Sequence, residues 1–133
     1  MSLKSVNPPS LGAPKGYSNG MLAEHPGRLL FVAGQVAWDE TQTIVSQNFV
    51  EQFDRALANV ITVIKEAEGS PDQIARLAIY VTDKAEYILH QREIGACYRA
   101  RMGKHFPAMV LVEVKSLVDV DAKVEIEAMA VLS

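Results

Sequence analysis

The 133-residue sequence predicts an α+β fold, one mainly antiparallel sheet carrying two helices on one face. Three observations predict it. Apolar runs too short for helices stand at 29–36, 74–81, 109–114 and 123–132; two longer segments space their apolar residues by three and four; and no repeat, linker or low-complexity tract divides them. One domain over 1–133 follows. At 14.6 kDa the scaling of surface with mass gives a folded surface of about 6,900 Å² against about 21,000 Å² unfolded, enough burial for a core without staples.

Residues 1–27 are rich in Gly, Pro and Ser, and Pro8-Pro9, Pro14, Gly16 and Pro26-Gly27 predict turns around one or two short strands. The run Leu29-Leu30-Phe31-Val32-Ala33-Gly34-Gln35-Val36 is continuous, partly β-branched and too short for a helix, so it reads as a buried strand. Phe49, Phe53, Leu57, Val60, Ile61 and Ile64 then share one helical face, and Gly69 and Pro71 stop that helix. A second buried strand covers 74–81 and ends at Thr82-Asp83. Asp83, with Glu86 three residues on, resembles a capping box for a second helix whose stripe is Tyr87, Gln91, Ile94, Tyr98 and Met102. Gly103 ends it. After the Phe106-Pro107 turn, 109–114 and 123–132 read as two strands separated by an Asp-containing stretch, 116–122.

The central strands lack a polar side. In 74–81 one set is Ile74, Arg76, Ala78 and Tyr80, and the other is Ala75, Leu77, Ile79 and Val81. Two helices cover one face only, so the other is expected to pack on a second copy of the chain.

Composition excludes several functions. The net charge of −3 with scattered cations offers little attraction for phosphate, which disfavours a nucleic-acid partner. Cys97 is the sole cysteine, which rules out an internal disulfide or a multi-cysteine zinc site and suits a reducing cytoplasm. No apolar run reaches the roughly 18 residues of a membrane helix, so no membrane partner is expected. His25, His90 and His105 lack the i, i+4 spacing of a helical zinc motif, and no metal is expected. Gly12-Ala13-Pro14-Lys15-Gly16 departs from the phosphate-loop spacing and reads as a turn. Cys97 falls inside a helix pattern, where a packed thiol is the ordinary role. Arg99, Arg101 and Lys104 cluster at a helix end, where cations complement the dipole.

The C-terminal strand is more informative. Alternation along Lys123-Val124-Glu125-Ile126-Glu127-Ala128 sends Val124, Ile126 and Ala128 to one face and both glutamates to the other. Two readings stand together: a solvated edge, or a carboxylate at a subunit cleft, where partial desolvation would raise its pKa and let it exchange a proton with bound water.

Gly34-Gln35 after the first apolar strand, Phe106-Pro107-Ala108, Val112-Glu113-Val114 and Val124-Glu125-Ile126-Glu127-Ala128-Met129-Ala130-Val131 resemble the RidA/YjgF family, also labelled endoribonuclease L-PSP. The resemblance spans nearly the whole chain, including Tyr17 and Tyr98. It implies a chorismate-mutase-like α+β sandwich, a homotrimer with its sheets facing inward, and small-molecule clefts between subunits. It also implies cofactor-free hydrolysis of reactive enamines and imines to ammonia and a 2-keto acid. Glu125 matches the family's glutamate near the hydrolytic water, and Tyr17, Gly34 and Tyr98 match residues of the cleft.

The family pattern is Phe-Pro-Ala-Arg, whose arginine pairs with the substrate carboxylate. Met109 stands there and cannot make that pair. Leu111 replaces a frequent cysteine, Gly95 replaces an asparagine, and the turn over 117–121 is one residue longer than the archetype's. A more apolar cleft is expected, with Arg101 or Lys115 as candidates to replace the lost cation. The expected activity is imine or enamine hydrolysis through Glu125 and water, on a substrate other than simple 2-imino acids, with Tyr17, Gly34, Tyr98, Met109 and Leu111 contacting it. The alternatives are a non-catalytic metabolite-binding or regulatory trimer and, behind it, a ribonuclease.

Overall fold

The computed structural model describes residues 3–24 and 27–133; His25 lies outside them, as does half of the expected Pro26-Gly27 turn. Strands β1 (Leu3–Val6) and β2 (Gly20–Ala23) flank a single helical turn at Pro9–Leu11. There follow β3 (Arg28–Gln35), α1 (Phe49–Glu66), β4 (Ile74–Val81), α2 (Lys84–Leu89), α3 (Gln91–Met102), β5 (Ala108–Glu113) and β6 (Val124–Leu132). Gly12 and Gly16 both take positive φ, 78° and 76°, so the stretch between them is a turn as expected.

The main sheet runs β3-β6-β4-β5. The β3/β6 and β6/β4 ladders are antiparallel, and β4/β5 is parallel. The single expected sheet is corrected to two, because β1 and β2 form an antiparallel ribbon of their own. Buried Ser18 donates its N–H to the Pro107 carbonyl at 3.0 Å and makes a parallel bridge to Ala108. That bridge hangs the ribbon from the start of β5 without extending the ladder.

The expected second helix is also corrected, to two. Asp83 caps α2 through the Ala85 N–H at 2.9 Å, but the reciprocal half of the capping box is missing, because Glu86 approaches Lys123 Nζ at 3.6 Å. At His90 the backbone leaves helical geometry (φ −109°, ψ 22°), and its ring nitrogen pairs with Glu93 in the first turn of α3 at 2.8 Å.

Helix α1 starts at Asn48, whose side chain accepts the Glu51 N–H at 2.9 Å. Its stripe, including Phe53, Leu57, Val60 and Ile64, is buried against the sheet with Leu77, Ile79 and Val81 of β4 and Val124, Ile126 and Leu132 of β6. Ile94, Tyr98 and Met102 of α3 complete this core. Gln52 is fully buried on α1, and it donates to the Ser46 and Asp121 carbonyls at 2.8 and 2.9 Å while accepting the Lys123 N–H at 2.8 Å. A buried amide with all three bonds made pins the start of β6 to the helix.

The opposite face of the sheet is uncovered. Register places Phe31 opposite Met129, Val110 opposite Ala78 and Val112 opposite Tyr80, and Leu29 and Phe31 are 61% and 69% exposed. The whole chain exposes 7809 Å², about 900 Å² more than the scaling relation gives for this mass. An apolar sheet face left in solvent is the feature expected of a chain that packs on a copy of itself.

Candidate functional site

The site residues fall on two faces of the same sheet. Because paired residues share a face, Glu125 lies with Tyr80 and Val112 on the open face, whereas Met109 and Leu111 lie with Leu77 and Ile79 on the helix-covered face.

On the open face, the β3/β6 register shifts between Val32 and Gln35, a bulge that contains Gly34. The Glu125 carboxylate folds over this glycine: a Cβ at Gly34 would stand 2.8 Å from Glu125 Cδ. The absent side chain is what makes room for the acid. The neighbouring acid differs. Tyr80 donates its hydroxyl to Glu127 Oε1, and that carboxylate, followed by burial, raises the Tyr80 pKa. Tyr80 thus stays protonated at neutral pH and engages Glu127. Half-buried Glu125 makes no hydrogen bond or ion pair among the described residues. The two glutamates that sequence pattern alone left equivalent are therefore inequivalent.

On the covered face, a hollow of about 310 Å³ opens between β5 and helices α2 and α3. Met109 and Leu111 line it from the strand, with Tyr87, Ile94 and Tyr98 from the helices. The Tyr98 ring stacks on Phe106 with centroids 5.3 Å apart, and its hydroxyl donates to the His105 carbonyl at 2.6 Å. Burial pushes the Tyr98 pKa far up, so this side chain offers the hollow a ring and not an ionisable group. Gly16 reaches the mouth; the adjacent Tyr17 is 38% exposed and stands outside the lining. A larger open depression of about 830 Å³ beside Leu30 and the end of α1 is lined by none of these residues.

Neither cation expected as a substitute lines the hollow. Arg101 is held by Asp54 through bonds of 2.6 and 3.0 Å, and Lys115 lines a separate depression with Ser116 and Asp119. The cation that does line it is Arg99, which sequence reading assigned to the helix dipole. The spacing Gly95/Arg99, i and i+4 on one helix, was the available signal. His105 donates its ring Nε2 to the Ile74 carbonyl at 2.7 Å, and burial raises the Cys97 pKa, so both are structural groups. Among the described residues no group of three or more His, Cys, Asp or Glu side chains is placed to hold a metal.

The family model of Endoribonuclease L-PSP matches residues 9–132. The chain belongs to the RidA/YjgF family. A RutC family protein of Pyrococcus abyssi is 32% identical over 89% of this chain and 90% of its own length. Among solved structures, a Rid family protein of unknown function from Yersinia pestis superposes with a TM-score of 0.85 at 31% identity, covering 99% of this chain and all of that one. TdcF of E. coli, solved with bound serine, gives 0.67 at 27% identity over 92% of each chain. The RidA/YjgF fold, a chorismate-mutase-like α+β sandwich, is thus the fold of this chain. Among the described residues no helix is long and apolar enough to cross a membrane.

Proposed function

We propose that the chain is a RidA/YjgF-type imine or enamine hydrolase that works in a cleft between copies of a homotrimer. Glu125 is the proton-transferring group. The observation that carries this reading is the Glu125 carboxylate, set over Gly34 on the open sheet face and without a hydrogen bond or ion pair among the described residues, in contrast to Glu127 beside it. The carboxylate takes a proton from a bound water as the water oxygen bonds to the imine carbon. The proton is passed to the nitrogen to give a carbinolamine. The carboxylate then takes the carbinolamine hydroxyl proton and delivers it to the nitrogen as the carbon–oxygen double bond forms and the carbon–nitrogen bond breaks, so ammonia leaves with a 2-keto acid.

Glu125 and the Met109 hollow lie on opposite faces of one sheet, so one copy does not unite them. Joining the open face of one copy to the hollow's rim on the next supplies both, which is what a cyclic, heterologous trimer interface does. The exposed Leu29 and Phe31 support that packing. The serine bound in TdcF supports a ligand of amino-acid size. Met109 favours a substrate with an apolar side chain over the smallest 2-imino acid.

The second reading, a metabolite-binding trimer without catalysis, is favoured by the apolar β5 wall of Met109 and Leu111. The experiment that separates them generates 2-imino acids in solution with an amino-acid oxidase and follows their disappearance. Faster decay with the protein, abolished in Glu125→Ala while particle mass is kept, supports hydrolysis. Background decay across small and apolar-tailed 2-imino acids supports the binding reading.

A further inference from the structure

We infer that Arg99 is the carboxylate anchor of the covered hollow, and that the hollow takes small carboxylic acids bearing an apolar tail. The inference rests on the proposed cleft, but a binding measurement tests it without turnover. In an α-helix, residues i and i+4 lie one above the other on the same face, and the side chain of the later residue leans back toward the earlier one. Gly95 and Arg99 of α3 have that relation. With no side chain at 95, the guanidinium lies back along the helix: a Cβ at Gly95 would stand 3.2 Å from Arg99 Nη1 and 3.9 Å from its Cζ. The space that a side chain at 95 would fill is thereby given to a cation. Both Gly95 and Arg99 line the 310 Å³ hollow, together with Met109.

Arg99 is also free to bind. It makes no ion pair or side-chain hydrogen bond among the described residues, in contrast to Arg101, two positions further along α3, which pairs with Asp54 of α1. A guanidinium carries its donors in a planar fork that fits a carboxylate through two parallel bonds. The rest of the lining sets the remainder of the ligand. Phe53, Ile79, Ile94 and Leu111 are apolar, and Gln91 supplies one polar group. A volume of about 310 Å³ is at the small end of ligand pockets, which restricts the ligand to metabolite size. The pair Gly95 and Arg99 therefore does from the helix what Met109 does not do from the strand.

The test uses the full-length protein and ligand-observed NMR titration with 4-methyl-2-oxopentanoate, its methyl ester and 2-oxopropanoate. The wild type is expected to bind 4-methyl-2-oxopentanoate more tightly than 2-oxopropanoate, and to bind the ester weakly. Arg99→Gln is expected to weaken the acid about 10- to 100-fold, the loss of a charge-assisted pair, and to leave the ester unchanged. Gly95→Asn, which refills the space under the guanidinium, is expected to weaken the acid as well. Arg92→Gln, on the same helix but outside the lining, should bind as wild type, and all three variants should keep the wild-type melting midpoint. Equal affinity for acid and ester, no effect of Arg99→Gln, or no binding of any of the three compounds would overturn the assignment. Binding through Arg99 without any imine hydrolysis would leave the anchor standing and sink the hydrolase reading. Glu125-dependent hydrolysis with Arg99→Gln binding unchanged would do the reverse.

Discussion

The two faces of the four-stranded sheet are built to different ends. The covered face is finished within one copy: α1 and α3 bury Leu77, Ile79, Val124 and Ile126, and Gln52 has every polar partner it needs. The open face combines exposed Leu29 and Phe31 with two carboxylates, one tied to Tyr80 and one without a partner among the described residues. The difference shows where stability ends and function begins. Groups whose bonding is complete hold the fold, and groups whose bonding is incomplete await a second copy or a ligand.

The largest expected effect breaks the open face chemically. Glu125→Gln should lower imine hydrolysis by about 10²- to 10⁴-fold, the usual contribution of a general acid-base group, with particle mass unchanged. Glu127→Gln should lose far less, since its carboxylate serves Tyr80. Comparable losses in steady-state rate for both variants would erase the distinction between the two acids.

Structural substitutions should split the same way. Leu77→Ala, fully buried on the covered face, should cost about 2–5 kcal/mol in urea unfolding. Phe31→Asp, 69% exposed, should keep the far-ultraviolet circular dichroism of the fold while sedimentation shows particle mass falling to the 14.6 kDa of one chain. A Phe31→Asp protein that keeps the wild-type mass would place the subunit contact elsewhere.

Met109→Arg places a cation on the covered face. It should raise hydrolysis of the small 2-iminopropionate about tenfold by adding a paired cation to β5. An apolar-tailed substrate should gain less, because Arg99 already holds its carboxylate. No gain for either would show that Leu111, Gly95 and the longer 117–121 turn have remodelled the pocket beyond one residue.

The smallest effect is one of pH. Folded Tyr98 holds its proton more tightly than the unfolded chain does, through burial, so its contribution to stability is fully present below about pH 10 and is lost as pH rises toward its folded value. Tyr98→Phe should lose about 0.5–1.5 kcal/mol at neutral pH, the bond to the His105 carbonyl, and should show a flatter alkaline limb. Urea midpoints at pH 8, 10 and 11 read both.

Much of the fold was legible because periodicity reports burial. The α1 stripe gave that helix directly, and the apolar run at 74–81 coincides with β4. What escaped were choices made by single polar contacts. The Ser18 bridge that ties the β1/β2 ribbon to the start of β5, the His90/Glu93 pair between α2 and α3, and the bonds of Gln52 leave no periodic trace. At the site, alternation put Glu125 and Glu127 on one face but was blind to Tyr80, which reaches Glu127 from another strand. Arg99 was hidden for a related reason: its direction depends on what is missing at Gly95.

In the proposed trimer, Glu125 of one copy serves the Met109 hollow of another. Co-expression of two inactive variants, Glu125→Ala and Leu111→Trp, tests it most directly, with imine hydrolysis measured on the mixed oligomers. Restored activity near a quarter of the wild-type rate is predicted, since random mixing in a cyclic assembly gives about one intact cleft in four. A mixture that stays as inactive as its parents would contradict it.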